Sequence, residues 1–541
     1  MAHPNLAETV IEYLSSKGVR HIFGVLSHTS FSLGDAIAQR PHLRFVNSQH
    51  EGGAGNMALG YARVTRKPAV CLVSAGGGAT NIATAVAQAY KESVPLFVIS
   101  SEIETASAAK GAWSSWHGMD HVGLFQPITK QSLKLDRAEE IGAVLDPLFT
   151  QTARGRQGPV YLGLPADLQA ASMPEAPVFS AAAGPIVPSM DPRTAETAVD
   201  LLLSAKVPVM LVGTGVDWSN ASDEVQELAE ILSLPVAASY TAKGVFPEDH
   251  PLALGCLGVG GRPYAQKFFR ESDLILALGT TFSEGTTLGF GHRVIPGAAK
   301  IIQIDIDPRE LGRNYPCQLS IQADAKAGLG AIIAGIKARM PAPRDGRRVR
   351  EIREAKEAWK NEIKQEIAGC GLTKDFVLAT LNECLSGKET LVAAGMTGEV
   401  LRHVDARMPV IHAGEFRAIG TAFATALGVK LGLSRTRVVC VTGDGSFMME
   451  QEEMATARLH GIPVLLIVLR NNAYGSMKRD QQKKYDGRAI GTDLFVPDLV
   501  RLAELYGARG YAVARREELV PALQESLASD DFVVLDVKLD T

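Results

Sequence analysis

Short apolar runs recur along the chain, each followed by a longer stretch in which apolar residues return every three or four positions. The runs at 21–25, 69–74, 96–101 and 160–164 have strand length and are rich in Val, Ile, Leu and Phe. Runs that are apolar throughout, rather than alternating, predict strands buried on both faces, as in a parallel sheet covered by helices. The pattern returns at 207–212, 235–239, 274–278 and 301–306, and again at 438–441 and 464–469. Strands alternating with helical stretches predict doubly wound α/β domains. Two segments interrupt the alternation. Residues 171–190 are rich in Ala and Pro and read as a linker, while 341–371 open on Pro341 and Pro343 and continue with dense charge of both signs, a solvated connecting helix. Three parallel-sheet domains follow from this division, at 1–170, 191–340 and 372–541.

The third domain carries the most informative stretch. Its apolar run at 438–441 meets Gly443-Asp444-Gly445, a helical stretch follows, and the run at 464–469 ends at Asn471-Asn472. In an open parallel sheet the carboxyl ends of neighbouring strands lie side by side, so Asp444 and Asn471 can converge. Gly443 and Gly445 let the backbone turn tightly and approach a ligand, the N–H groups opening the next helix attract anions, and Ser446 adds a hydroxyl. Asp444 would supply a carboxylate, Asn471 an amide oxygen and Ala473 a carbonyl to Mg2+, which prefers hard oxygen ligands and commonly keeps phosphate oxygens in its shell. Taken singly, both dipeptide patterns are ordinary turn sequences. Their placement at successive strand ends is what points to a diphosphate held through a metal.

This arrangement resembles the thiamine diphosphate enzymes, whose shared signature is GDG, a helix and strand, then NN. The resemblance implies a glutamate from another domain. His50-Glu51-Gly52-Gly53-Ala54-Gly55, extended by Gly60-Tyr61-Ala62-Arg63, matches that motif between the runs at 21–25 and 69–74. Glu51 is then the carboxylate that bonds a pyrimidine nitrogen of the cofactor and favours the imino tautomer able to take the thiazolium proton. Burial would raise its pKa toward the range needed for proton exchange. Within Gly414-Glu415-Phe416-Arg417-Ala418-Ile419-Gly420, Ile419 matches the apolar wedge that bends the cofactor. Arg417 offers its carbonyl, at a position where many relatives have glycine. Gly76-Gly77-Gly78 lacks the P-loop Lys-Ser/Thr and the dinucleotide spacing, and reads as pocket lining. His28 stands where decarboxylases and lyases of the family place a substrate-side polar residue, and His117 about where synthases carry a pocket glutamine. Both are candidate catalytic groups, set against the plainer reading of structural or solvated imidazoles. His121 reads as structural, and Trp113 and Trp116 as either pocket walls or core packing.

By resemblance the domains are pyrimidine-binding, middle and diphosphate-binding. The middle domain is similar to the FAD-holding domain of acetohydroxyacid synthases at Ile304-Asp305-Ile306-Asp307-Pro308 and Ser320-Ile321-Gln322-Ala323-Asp324. Residues 281–286, Thr-Phe-Ser-Glu-Gly-Thr, replace the Arg and acidic residues of those enzymes, which weighs against FAD and leaves it open. Glu51 and Asp444 lie in different domains, so the resemblance implies active sites shared between the subunits of a dimer or tetramer. The implied activity is thiamine diphosphate- and Mg2+-dependent making or breaking of a carbon–carbon bond beside a carbonyl. An acetolactate synthase-like carboligase acting on pyruvate-like 2-oxo acids leads. A benzaldehyde-lyase-like enzyme acting on 2-hydroxy ketones, with an aldehyde released, and a simple 2-oxo acid decarboxylase are the alternatives. A catalytically silent cofactor-binding paralogue is the alternative of another class, opposed by Glu51 standing together with Asp444 and Asn471.

Composition changes this picture little. A chain of 541 residues with net charge −4 and pI near 6.3 is no nonspecific nucleic-acid binder. No apolar run approaches the roughly 20 residues that span a bilayer. The N-terminal stretch reads as an amphipathic helix rather than a signal peptide. Six scattered cysteines without CxxC spacing predict reduced thiols and a cytoplasmic protein.

Overall fold

The structure, a computed structural model, describes residues 3–173, 177, 179, 190–340, 346–394, 397–407, 409–412 and 414–540. Most of the expected linker at 171–190, and Pro341 and Pro343, lie outside the described residues.

The first sheet contains β1 (His21–Gly24), β2 (Arg44–Asn47), β3 (Ala69–Val73), β4 (Leu96–Glu102), β5 (Ser132–Lys134) and β6 (Val160–Pro165), in the order 2-1-3-4-6-5. The second contains β7 (Pro208–Val212), β8 (Val236–Ala238), β9 (Ala253–Cys256), β10 (Leu274–Leu278), β11 (Lys300–Asp305) and β12 (Leu319–Gln322), in the order 12-11-10-7-8-9. The third contains β13 (Thr390–Ala394), β14 (Ile411–His412), β15 (Val438–Gly443), β16 (Leu465–Arg470), β17 (Arg509–Val513) and β18 (Val533–Lys538), in the order 14-13-15-16-18-17. All pairings within the sheets are parallel. The outer domains therefore share one topology, and the middle domain has the strand order of dinucleotide-binding folds. Central strands β3, β7 and β10 are buried along their whole length, as their unbroken apolar runs require. The edge strands β5 and β17 are short and partly exposed.

The helix Glu51–Thr65 of the first domain crosses the helix Ala422–Gly432 of the third. The backbones approach so closely that a Cβ on Gly60 would lie 2.2 Å from the Thr425 carbonyl oxygen, and one on Gly428 1.8 Å from that of Met57. Met57, Ala58, Phe423 and Leu427 bury themselves in the shared core around this crossing. Beside it, the N–H groups of Gln49 and His50 donate to the buried Glu453 carboxylate at 3.3 and 3.1 Å. This bracket fixes the elbow from which Glu51 emerges.

The charged stretch forms the helix Arg347–Ala368, but it is pinned rather than merely solvated: Ile352 and Trp359 are buried in the core of the middle domain. All six cysteines are free thiols. Among the described residues no helix is long and apolar enough to cross a membrane.

Candidate active site

β15 and β16 run in parallel with Gly443 opposite Leu469, so Asp444 and Asn471 leave the sheet at one edge. Asp444 is 2% exposed. Its carboxylate accepts the N–H groups of Gly445 at 2.8 Å, Asn471 at 2.9 Å and Asn472 at 2.5 Å. Burial pushes this carboxyl above the ordinary range, opposed by the three N–H groups and by Arg470. Asn472 takes a left-handed φ of 54°, and the Asn471 side-chain oxygen accepts from Ala473 N–H at 3.2 Å. Thr492 and Leu494 hold this loop from the other side through Tyr474 N–H and the Asn472 carbonyl. The Ser446 hydroxyl accepts from Gly420 N–H at 2.9 Å, joining the Gly443–Gly445 turn to the segment that carries Arg417 and Ile419. A Cβ on Gly443 would meet nothing within 4 Å, so the strand end faces open space. The Asp444 carboxylate and the Asn471 amide oxygen, hard donors at one strand edge beside that space, fit a Mg2+-held diphosphate. Among the described residues no group of three or more His, Cys, Asp or Glu side chains is placed to hold a metal ion.

Arg417 has a φ of 58°, which explains why glycine suits this position; its side chain is exposed. Ile419 is 43% exposed and open to a ligand. Arg470, at the end of β16, is paired with Asp536 at 2.8 Å.

The first domain gathers a second set of groups. His50 caps the helix Glu51–Thr65 by accepting from Gly52 N–H. The half-exposed Glu51 carboxylate accepts from the Asn81 amide at 2.9 Å, and a Cβ on Gly78 would lie 3.1 Å from it. Gly76 opens the same turn with φ 64°, and a Cβ there would lie 2.9 Å from the His117 Cα. His117, itself at φ 63°, places its ring 5.3 Å from that of His28, and both imidazoles are exposed. Glu51, the glycine turn, His117 and His28 thus line one edge of the first sheet. Trp113 and Trp116 are 92% and 88% exposed, so neither packs in the core of this chain.

No hydrogen bond among the described residues joins Glu51 to the Asp444 group. Large apolar side chains stand exposed near each: Trp113 and Trp116 on one side, and Ile419, Met477, Ile490 and Phe495 on the other. Asn81 ends the glycine-rich stretch from Ser74 that reads as pocket lining, and it bonds Glu51. Sequence reasoning missed Glu453 and the environment of His121, which is buried and bonded to Glu102. These contacts depend on pairings distant in sequence.

In the middle domain a cleft of about 520 Å3 opens between β7 and β10, the switch point of the sheet, and is lined by Thr214, Trp218, Gly279, Asp305, Asp324 and Arg156. The cavity that continues from it toward Glu415 measures only about 130 Å3 and is walled by Arg63, Glu92, Arg156 and Glu310. Within residues 281–286, Thr286 is buried and accepts Tyr240 N–H, Ser283 donates to Glu415, and Glu284 is exposed. Ligand pockets usually span about 300–1,000 Å3. The cleft falls within that range and the smaller cavity below it.

Comparison with known proteins agrees with this geometry. Residues 4–124 match the thiamine pyrophosphate enzyme N-terminal TPP binding domain, 195–332 the central domain and 394–537 the C-terminal TPP binding domain. The chain is 31% identical to a probable acetolactate synthase large subunit of Methanocaldococcus jannaschii, covering 99% of this chain and 92% of that one. It is 32% identical to the acetolactate synthase isozyme 3 large subunit of Escherichia coli and to the acetolactate synthase large subunit of Haemophilus influenzae, each over 99% of this chain and 94% of the relative. Three matched domains in order, and full-length similarity to these synthases, establish that the chain belongs to the thiamine pyrophosphate enzyme family.

Proposed function

We propose that the protein is an acetolactate synthase-like carboligase that joins pyruvate-like 2-oxo acids, using thiamine diphosphate and Mg2+ at sites completed by a second copy of the chain. What supports this reading is Glu51 with its glycine turn and Asp444 with Asn471, each at the strand ends of its own domain, on a chain similar to acetolactate synthases along its length. Thiamine diphosphate, when bound, supplies an acidic thiazolium carbon and a ring nitrogen that accepts the electron pair released when a carboxylate leaves. Asp444, Asn471 and the Ala473 carbonyl hold the metal; Gly443, Gly445 and Ser446 face the diphosphate. Ile419 would supply an apolar contact beneath the cofactor, and the Arg417 carbonyl would accept from its amino group. Glu51 would bond the pyrimidine nitrogen, and a second copy of the chain would cover it. His28 and His117 deliver and remove protons on the substrate side, beside Trp113 and Trp116. No step is assigned to FAD. A cytoplasmic location fits six unpaired thiols.

The exposed imidazole pair also fits a lyase acting on 2-hydroxy ketones, so the acceptor is the variable to test. Protein stripped of cofactor should turn over pyruvate only when thiamine diphosphate and Mg2+ are both restored, without flavin. Turnover with neither added would overturn the proposal.

A further inference from the structure

His121 has no place in the chemistry above, yet it is among the most constrained side chains near Glu51. It is 1% exposed. Its Nε2 accepts the N–H of Gly76 at 2.8 Å, so the ring proton resides on Nδ1 and is donated to Glu102 at 2.7 Å. The other Glu102 oxygen accepts the Tyr161 hydroxyl at 2.7 Å. Glu102 and Tyr161 are buried, and Tyr161 stacks on Phe125 with ring centroids 4.4 Å apart. A Cβ on Gly163 would lie 2.6 Å from Glu102, so that glycine leaves room for the carboxylate. One residue before Glu102, the Ser101 hydroxyl bonds that of Thr29 at 2.7 Å, next to His28. The end of β4 therefore anchors both the turn that carries His28 and, through His121, the turn at Gly76.

We infer that His121, Glu102 and Tyr161 form a positioning network that holds the Gly76 turn in its left-handed conformation and thereby sets the Glu51 carboxylate and the His117 imidazole. Gly76 at φ 64° and ψ −109° occupies backbone space reserved for glycine, and such a conformation persists only where its surroundings hold it. The buried acceptor on Gly76 N–H supplies that hold. From Gly76 the constraint passes in two directions: to Gly78, where a Cβ would lie 3.1 Å from Glu51, and Asn81, which bonds Glu51, and to the His117 backbone, which a Cβ on Gly76 would meet at 2.9 Å. None of the three network residues touches a reacting atom.

The inference rests on the Glu51 reading, and its test separates the two. Protein reconstituted with thiamine diphosphate and Mg2+ is pulsed with D2O and quenched, and exchange at the thiazolium C2 is followed by NMR. Wild type should exchange rapidly and Glu51→Gln slowly. His121→Ala should slow exchange about 10- to 100-fold, the scale of an ångström-level displacement, while cofactor affinity holds. His121→Gln can accept from Gly76 and donate to Glu102, and should recover most of the rate. Wild-type exchange in His121→Ala, or equal slowing in His121→Ala and His121→Gln, would overturn the network. If His121→Ala does not fold, Tyr161→Phe carries the test: modest slowing supports the network and an unchanged rate refutes it. Normal exchange in Glu51→Gln would instead sink the Glu51 reading, and the network with it.

Discussion

Replacing Asp444 separates its two roles, holding the loop and binding metal. Two N–H groups, those of Asn471 and Asn472, converge on one carboxylate oxygen, and that of Gly445 reaches the other. Asp444→Asn can keep its amide oxygen toward the first two and loses only the Gly445 bond. Hydrogen bonds to charged groups contribute about 1.5–3 kcal/mol, so the cofactor-free protein should lose roughly that much. For a domain of this size that is a fall of about 3–12 °C in its thermal midpoint. Asp444→Ala strands three donors around a group that is 2% exposed and should cost about twice as much. Metal binding should follow a different rule. Both variants lack the carboxylate, so both should lose at least tenfold in Mg2+-dependent affinity for thiamine diphosphate, measured by calorimetry. Graded stability with equally impaired binding is the expected pattern. Asp444→Asn that is destabilised but binds Mg2+ and cofactor like wild type would refute the metal assignment and leave Asp444 a loop anchor.

Glu51→Gln and Asp444→Asn should each be inactive alone, yet coexpressed chains should recover about a quarter of wild-type activity, because half of randomly paired dimers then contain one intact site; no recovery would place both halves in one chain. His28→Ala and His117→Ala should leave C2 exchange intact while slowing pyruvate turnover about 100-fold; loss of exchange would move them to cofactor activation. Burial pushes the Glu450 carboxyl, which accepts from Phe423 and Ala424 N–H, up to about 8, and likewise that of Glu92 beside Arg63. Between the unfolded value near 4.5 and about 8 the folded state binds more protons, so stability should fall as pH rises through this window, by up to about 1.4 kcal/mol per unit for each group. Denaturant midpoints should be lower at pH 8 than at pH 6, and Glu450→Gln should flatten the slope; a rising profile would contradict the assignment.

The parts of the molecule legible in the sequence are those whose physics is local. The runs ending at Leu278 and before Asn471 are apolar because both faces of their strands are covered, so pattern alone located them and the turns that follow. Gly443, Asp444 and Asn471 were readable because a strand end exposes polar groups at a predictable edge. The edge strands β2, β5, β9, β12, β14 and β17 escaped because short edge strands carry mixed residues, and the central strands β13 and β18 went unread as well. Arg417 looked like a departure in the sequence and proves to be a non-glycine residue at φ 58°. The Glu453 bracket and the contacts of His121 join positions far apart in the chain, which no periodicity announces. Glu51 was expected to be buried, and in one chain it is half-exposed. Its environment depends on surfaces that a sequence does not pair.

The most direct test of the account is the ratio of carbon dioxide released to pyruvate consumed by protein reconstituted with thiamine diphosphate and Mg2+ alone. A carboligase joining two pyruvates releases one carbon dioxide for every two consumed and yields a five-carbon hydroxy acid. One carbon dioxide per pyruvate with acetaldehyde as product, or no release at all from protein that has bound its cofactor, would contradict it.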